Sequence, residues 1–150
     1  MEVFVKLVPM ALAAVMSFGA SATNKQVYLD VQVSDLAPAQ GAKWKRNAEE
    51  EVLFPIELAR LKGRGCTVLS FDISDEGKTE NVEIVESIPK RELGIYGRKM
   101  VRNWDWVPVS ATDKTAEQKR LVRLDFCMGA ESAEQVEQYC KQQAQLGCRL

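Results

Sequence analysis

Val101-Arg102-Asn103-Trp104-Asp105-Trp106-Val107-Pro108 is the stretch on which the fold reading turns. Leu93, Tyr96, Met100, Val101 and Trp104 recur at helical spacing, so one apolar stripe runs along residues 91–104 and ends on a tryptophan. Trp106 lies past the end of that helix. Pro108 lacks a backbone donor and cannot resume it. Gly94 and Gly97 each weaken the helix by roughly 1 kcal/mol relative to alanine, so packing of the stripe must hold it.

On the N-terminal side of this helix, two strand patterns flank a turn. In residues 66–73, Thr67, Leu69, Phe71 and Ile73 alternate with Cys66, Val68, Ser70 and Asp72. Ser74-Asp75-Glu76-Gly77-Lys78 is the turn, with Gly77 free to take positive φ. The second strand spans residues 79–87, with Val82 and Ile84 on its core face, and Pro89 ends it. Phe54-Pro55 opens a short helix running to about Lys62, since proline is favoured in a first helical turn. Gly63 and Gly65 stop it.

On the C-terminal side, residues 120–128 alternate as a third strand. Val122, Leu124, Phe126 and Met128 point inward; Leu121, Arg123, Asp125 and Cys127 point outward. Ser132-Ala133-Glu134-Gln135 is a capping box that starts a tail helix reaching about Leu146, with Gly147 as its stop. Its apolar stripe, Ala133, Val136, Cys140 and Ala144, is narrow. Upstream, residues 27–33 alternate as a half-buried strand, residues 34–41 read as a loop, and residues 43–51 are too charged for their pattern to decide between helix and irregular chain.

The first residues form a separate unit. An apolar run over residues 7–20, preceded by Lys6 and followed by Ala20-Ser21-Ala22, fits a signal peptide cleaved after Ala22. The run is shorter than the roughly 20 residues of a spanning helix. The mature protein is thus expected to be exported, without a stable membrane anchor. The expected organisation is residues 1–22 signal peptide, 23–53 N-terminal extension, 54–128 main domain and 129–150 helical tail.

Composition narrows the function. The 150 residues carry 20 basic and 21 acidic side chains, a net charge of −1, which gives no drive toward nucleic acid. Histidine, the commonest general base and metal ligand, is absent. No nucleophile motif and no paired carboxylates in an apolar setting are visible. Asp72 and Asp75 flank a turn, where solvated aspartate is usual. An enzyme is therefore not expected, nor a cofactor or metal.

In this order the residues resemble the C-terminal domain of TonB, the envelope energy transducer of Gram-negative bacteria. The aromatic-Pro pair is Phe54-Pro55 and the glycine before the first strand is Gly65. The strand phenylalanine is Phe71 and the hairpin glycine is Gly77. The Val-x-Val-Val run is Val82-Glu83-Ile84-Val85, followed by Ser87. The helix ends in Val-x-x-Trp-x-aromatic-x-Pro at Val101, Trp104, Trp106 and Pro108. The resemblance covers residues 54–128. It departs from the family at Phe54, where tyrosine is usual, and at Gly63, where a glycine is displaced. The transducer's membrane anchor and proline-rich spacer have no counterpart, with 5 prolines in the whole chain.

The resemblance implies a protein-binding module, located in the periplasm after export, whose third strand is a sheet edge. It would pair with an extended segment of an envelope protein, an outer-membrane receptor or another periplasmic component, with a link to TonB-type transport. Arg120, Arg123 and Asp125, with Phe54 and Pro55, are the candidate partner-binding residues. The alternative is a structural or assembly role, with residues 27–33 already covering that edge and the tail helix serving oligomerisation.

The expected fold class is α+β. A three-stranded antiparallel sheet, in spatial order second-first-third, packs on the main helix, with an extra N-terminal strand and a C-terminal helix. Leu69, Phe71, Met100, Trp104, Val122, Leu124 and Phe126 should share one core. Cys66, Cys127, Cys140 and Cys148 are disulfide candidates, because export places them in an oxidising compartment. In the expected sheet Cys66 and Cys127 lie on the outward face at adjoining strand ends. This favours Cys66–Cys127 with Cys140–Cys148. The other arrangement lays the tail helix across the outer sheet face and bonds its cysteines to Cys66 and Cys127.

Overall fold

Alternating β-branched and aromatic residues build the sheet. A computed structural model describes residues 26–148; the expected signal peptide lies outside them. Along the chain come β1 (Leu29–Ala37), β2 (Trp44–Arg46), α1 (Ile56–Arg60), β3 (Gly65–Ile73), β4 (Thr79–Ile88), α2 (Arg91–Arg102), β5 (Trp106–Pro108), β6 (Glu117–Met128) and α3 (Ala133–Gln143). The protein is α+β. One antiparallel sheet runs in the order β1-β6-β3-β4, and β2 pairs with β5 in a two-stranded ribbon.

The inner face of the sheet and α2 enclose the main core. Leu69, Phe71, Ile73, Val122, Leu124 and Phe126 come from the sheet, and Leu93, Val101 and Trp104 from α2 and its end, all buried. Met100 and Tyr96 pack against this core half-buried. The two glycines that weaken α2 explain its close seating. A Cβ at Gly97 would lie 2.8 Å from Thr67 Cγ2, and one at Gly94 would lie 2.7 Å from Ile84 Cγ2. Their cost to the helix is offset by the approach they permit.

The corner after α2 is where the two tryptophans act. Trp104 and Trp106 meet edge-on at 6.1 Å, and Trp106 lies 5.5 Å from Phe71. The Trp106 indole N–H donates to Thr79 Oγ1 at 2.9 Å, and the Trp106 backbone N–H donates to the Gly77 carbonyl at 3.0 Å. Trp106 thus opens β5 and pins the β3–β4 turn. Lys78 reaches Asp105 in an exposed ion pair, which raises the lysine's pKa.

Several boundaries differ from the sequence reading. β1 starts at Leu29 and continues to Ala37, through residues read as loop. α1 is a single turn with Pro55 at its cap rather than its first position. The charged stretch at residues 43–51 contains β2, whose three residues are too few to show a period. β6 begins three residues earlier, at Glu117.

The favoured cysteine pairing is corrected. The bonds are Cys66–Cys148 and Cys127–Cys140. Cys66 and Cys127 do face outward, but the tail lies over that face and takes both as partners, through Cys140 on α3 and Cys148 beyond it. The Ser132 hydroxyl caps α3 by accepting the Gln135 N–H at 3.2 Å. The Gln135 side chain reaches back to the Glu131 N–H rather than to that of Ser132.

Trp104→Ala should remove roughly 3–5 kcal/mol of stability, as for other buried aromatic truncations. A thermal melt of the oxidised protein checks this. A midpoint within a degree or two of wild type would refute the core assignment.

Candidate protein-binding surface

A strand edge binds through unpaired backbone groups, so the pairing of each strand decides what the sheet can offer. β6 has no such edge. On one side it pairs with β3; on the other, residues 29–37 of β1 pair with residues 121–128 in antiparallel register, Leu29 opposite Met128 and Val33 opposite Leu124. The expectation that the third strand is an open edge is overturned by this pairing. The physical reason is local: β1 carries the same alternation as the strands it joins, and Val31 seats in the common core.

The sheet instead ends on β1 and β4. The Gly129 N–H donates to the Tyr28 carbonyl at 3.0 Å, in step with the Leu29–Met128 register. By the alternation of antiparallel ladders, Asp30, Gln32 and Ser34 direct their backbone groups to β6. Leu29, Val31 and Val33 therefore direct theirs outward, where no strand among the described residues meets them. Leu29 and Leu36 are exposed apolar side chains at the two ends of this edge.

β4 is a poorer edge. Its pairing with β3 slips twice, and Asn81 stands at φ 52° in the left-handed region. Asp72 on β3 holds that irregularity. One oxygen accepts from the Asn81 side chain at 2.8 Å, and the other accepts from the backbone N–H of Lys119, which is also left-handed, at 3.0 Å. The Asn81 bond, then the Lys119 bond, lower the Asp72 pKa. Glu80, Glu83 and Glu86 add like charge along β4. Bulges and charges of this kind discourage strand addition.

The candidate contact residues are not surface groups. Arg120 is buried on the inner side. Its guanidinium lies 5.0 Å from the Trp106 ring centre and donates to the Trp44 carbonyl, Glu117 and Asp35 at 3.2, 2.9 and 3.0 Å. Arg120 Nε has no partner. Even-numbered alternation with Val122 and Leu124 already pointed it inward.

Arg123 and Asp125 do face outward but are buried beneath α3. They form a two-pronged ion pair, both contacts at 2.8 Å, with Asp125 fully enclosed. Arg123 also donates to the carbonyls of Gln143, at 2.8 Å, and Leu146. A cation therefore meets the C-terminal end of α3, where helix carbonyls are unpaired. Gln143 returns its amide to Asp125 at 3.0 Å and to the Gly65 carbonyl at 2.9 Å. Phe54 packs edge-on against Phe126 at 5.6 Å, and Pro55 sits half-buried above α2.

The sequence offered a tail helix across the outer face for the cysteines alone, and the enclosure of Arg123 and Asp125 by the same cover was missed. Cys66, Arg123, Asp125 and Cys127 share that face, and such a set marks a face with a cover. Among the described residues, no three His, Cys, Asp or Glu side chains converge as a metal site would require, and no helix is long and apolar enough to cross a membrane.

Comparison with known proteins bears on the same region. Residues 50–128 match the family model described as "Gram-negative bacterial TonB protein C-terminal". Among solved structures, the solution NMR structure of the Pseudomonas aeruginosa TonB CTD is similar. It shares 17% identity, with a TM-score of 0.45, over 63% of this chain and 93% of that one. No curated protein matches. β1 and α3 both lie outside the matched residues.

Arg123→Met should cost roughly 3–5 kcal/mol, because it leaves the enclosed Asp125 carboxylate unpaired. Arg123→Met with Asp125→Leu should recover much of that loss. Urea denaturation of the oxidised proteins distinguishes the outcomes. A loss below about 1 kcal/mol for the single variant would contradict the buried pair.

Proposed function

We propose, from the membership of this chain in the family of Gram-negative TonB C-terminal domains, that it is a periplasmic module which binds another envelope protein by strand addition at the outer edge of β1. Members of this family are periplasmic, non-enzymatic interaction domains, and typically contact outer-membrane receptors. The observation that carries the reading is the outward row of backbone groups at Leu29, Val31 and Val33. β1 has extended the sheet by one strand, so the edge available for augmentation has moved outward with it.

Export supports the same reading. Two disulfides suit an oxidising compartment, and residues 1–22 have the pattern of a signal peptide cleaved after Ala22. The mature protein would comprise the extension from residue 23, the family domain and the tail. The partner is an outer-membrane receptor or another periplasmic component, with TonB-type transport as the process.

A second reading, a structural or assembly role, draws support from the covering of β6 by β1 and from the bonding of the tail to the sheet. Here α3 supplies the contact, through exposed residues such as Tyr139.

In-cell photo-crosslinking separates the two. A photoreactive residue at Gln32 or Leu36 should give a discrete adduct with an envelope protein, and one at Tyr139 should not. Val33→Pro, which removes an outward N–H at an edge position where proline is tolerated, should abolish the adduct without unfolding the protein. Adducts from Tyr139 alone would favour the assembly role. Adducts at β1 that survive Val33→Pro would contradict strand addition.

A further inference from the structure

The end of the molecule where α1 meets the start of α2 holds a cleft of about 310 Å³, distinct from either sheet edge. A volume of that size is at the lower bound of small ligand pockets and suits one or two side chains rather than a cofactor. Its floor is Leu58 and Leu93, both at 1% exposure, and its walls are Leu61 and Pro89. Gly63 packs its bare backbone directly against Leu58. A Cβ there would lie 2.1 Å from Leu58 Cδ1 and displace the floor.

The rim has a different chemistry. Lys62, Arg64 and Lys90 surround the opening, all exposed, and none is in an ion pair among the described residues. Glu92 is the one carboxylate on the rim. A chain with a net charge of −1 thus concentrates basic residues around one apolar recess. Leu61 is 61% exposed, so the recess opens onto an apolar lip.

We propose that this cleft docks an acidic peptide segment of a partner protein. The segment would seat one aliphatic side chain on Leu58, Leu61 and Leu93, with flanking carboxylates against Lys62, Arg64 and Lys90. Charge complementarity selects this occupant. Unpaired cations around a recess favour an anionic ligand and raise its encounter rate, and the enclosed apolar floor adds an anchor that a flat charged surface lacks. The recess has depth for a side chain, which favours a peptide over an anionic membrane surface. This docking is independent of strand addition at β1.

The probe is a fluorescein-labelled nonapeptide with glutamates on both sides of a central leucine, titrated into the full oxidised protein by anisotropy. Saturable binding is expected. Affinity should fall at least about tenfold when the glutamates become glutamines, when the leucine becomes serine, or in the variant Lys62→Glu/Arg64→Glu/Lys90→Glu. Amide shifts in a labelled protein should map to Leu58, Gly63 and Leu93. The variant changes exposed side chains, and its melting point reports its fold directly. Four results would overturn the proposal: no saturable binding, equal binding of the glutamine peptide, shifts confined to β1, or recruitment to phosphatidylglycerol vesicles without peptide binding.

Discussion

Backbone pairing between β1 and β6 is the constraint on which the rest of the structure depends. Eight residue pairs join them, and the register fixes both faces of β1. With the pairing in step, Val31 enters the core beside Phe126, and Asp30 falls under α3. A slip of one residue would exchange these two environments and bury a carboxylate among aliphatic side chains. Asp35, at the far end of β1, receives the buried Arg120 guanidinium, which ties the strand to β2, β5 and β6 at once. The first strand is therefore an integral layer of the sheet, and partner contact moves to the surface that β1 itself presents.

The tail serves the same end from above. α3 crosses β1 and β6, and its C-terminal part is covalently held twice, by Cys140 in its last turn to β6 and by Cys148 beyond it to β3. Closing loops of 82 and 13 residues restricts the unfolded chain by about 4–5 and 3 kcal/mol in the chain-entropy account. A domain of this size buries only a modest core, so such staples are a large part of its stability. Between the two bonds, Arg123 and Asp125 form an ion pair whose geometry depends on α3, because two of the arginine's acceptors are carbonyls in and just after that helix. Removal of the cover would leave both charges at the surface with their bonds to Gln143 and Leu146 unmade.

Much of this was legible. The alternation of residues 120–128, the turn at Gly77 and the stripe ending on Trp104 have periods long enough to read without a structure. The disulfide pairing was not legible, because it depends on where an amphipathic tail docks, and strand geometry at Cys66 and Cys127 allows a direct bridge as readily as two bridges to the tail. β2 and β5 escaped notice because three residues carry no period. Arg120, expected as a contact residue, shares its parity with Val122 and Leu124 and is buried with them. The role of charge was misread at Arg123 and Asp125, where an outward position on a strand suggested exposure and the cover lay some twenty residues further on.

The central claim is that β6 is an interior strand closed by β1. Amide hydrogen exchange of the oxidised protein tests it most directly. The N–H groups of Arg123, Asp125 and Cys127 face β1 by the register and alternation of the ladder. They should exchange as slowly as those of Val122 and Leu124, which face β3. Exchange at Arg123, Asp125 and Cys127 as fast as at the outward amides of Val31 and Val33, with Val122 and Leu124 still protected, would show β6 to be an open edge and would contradict the account.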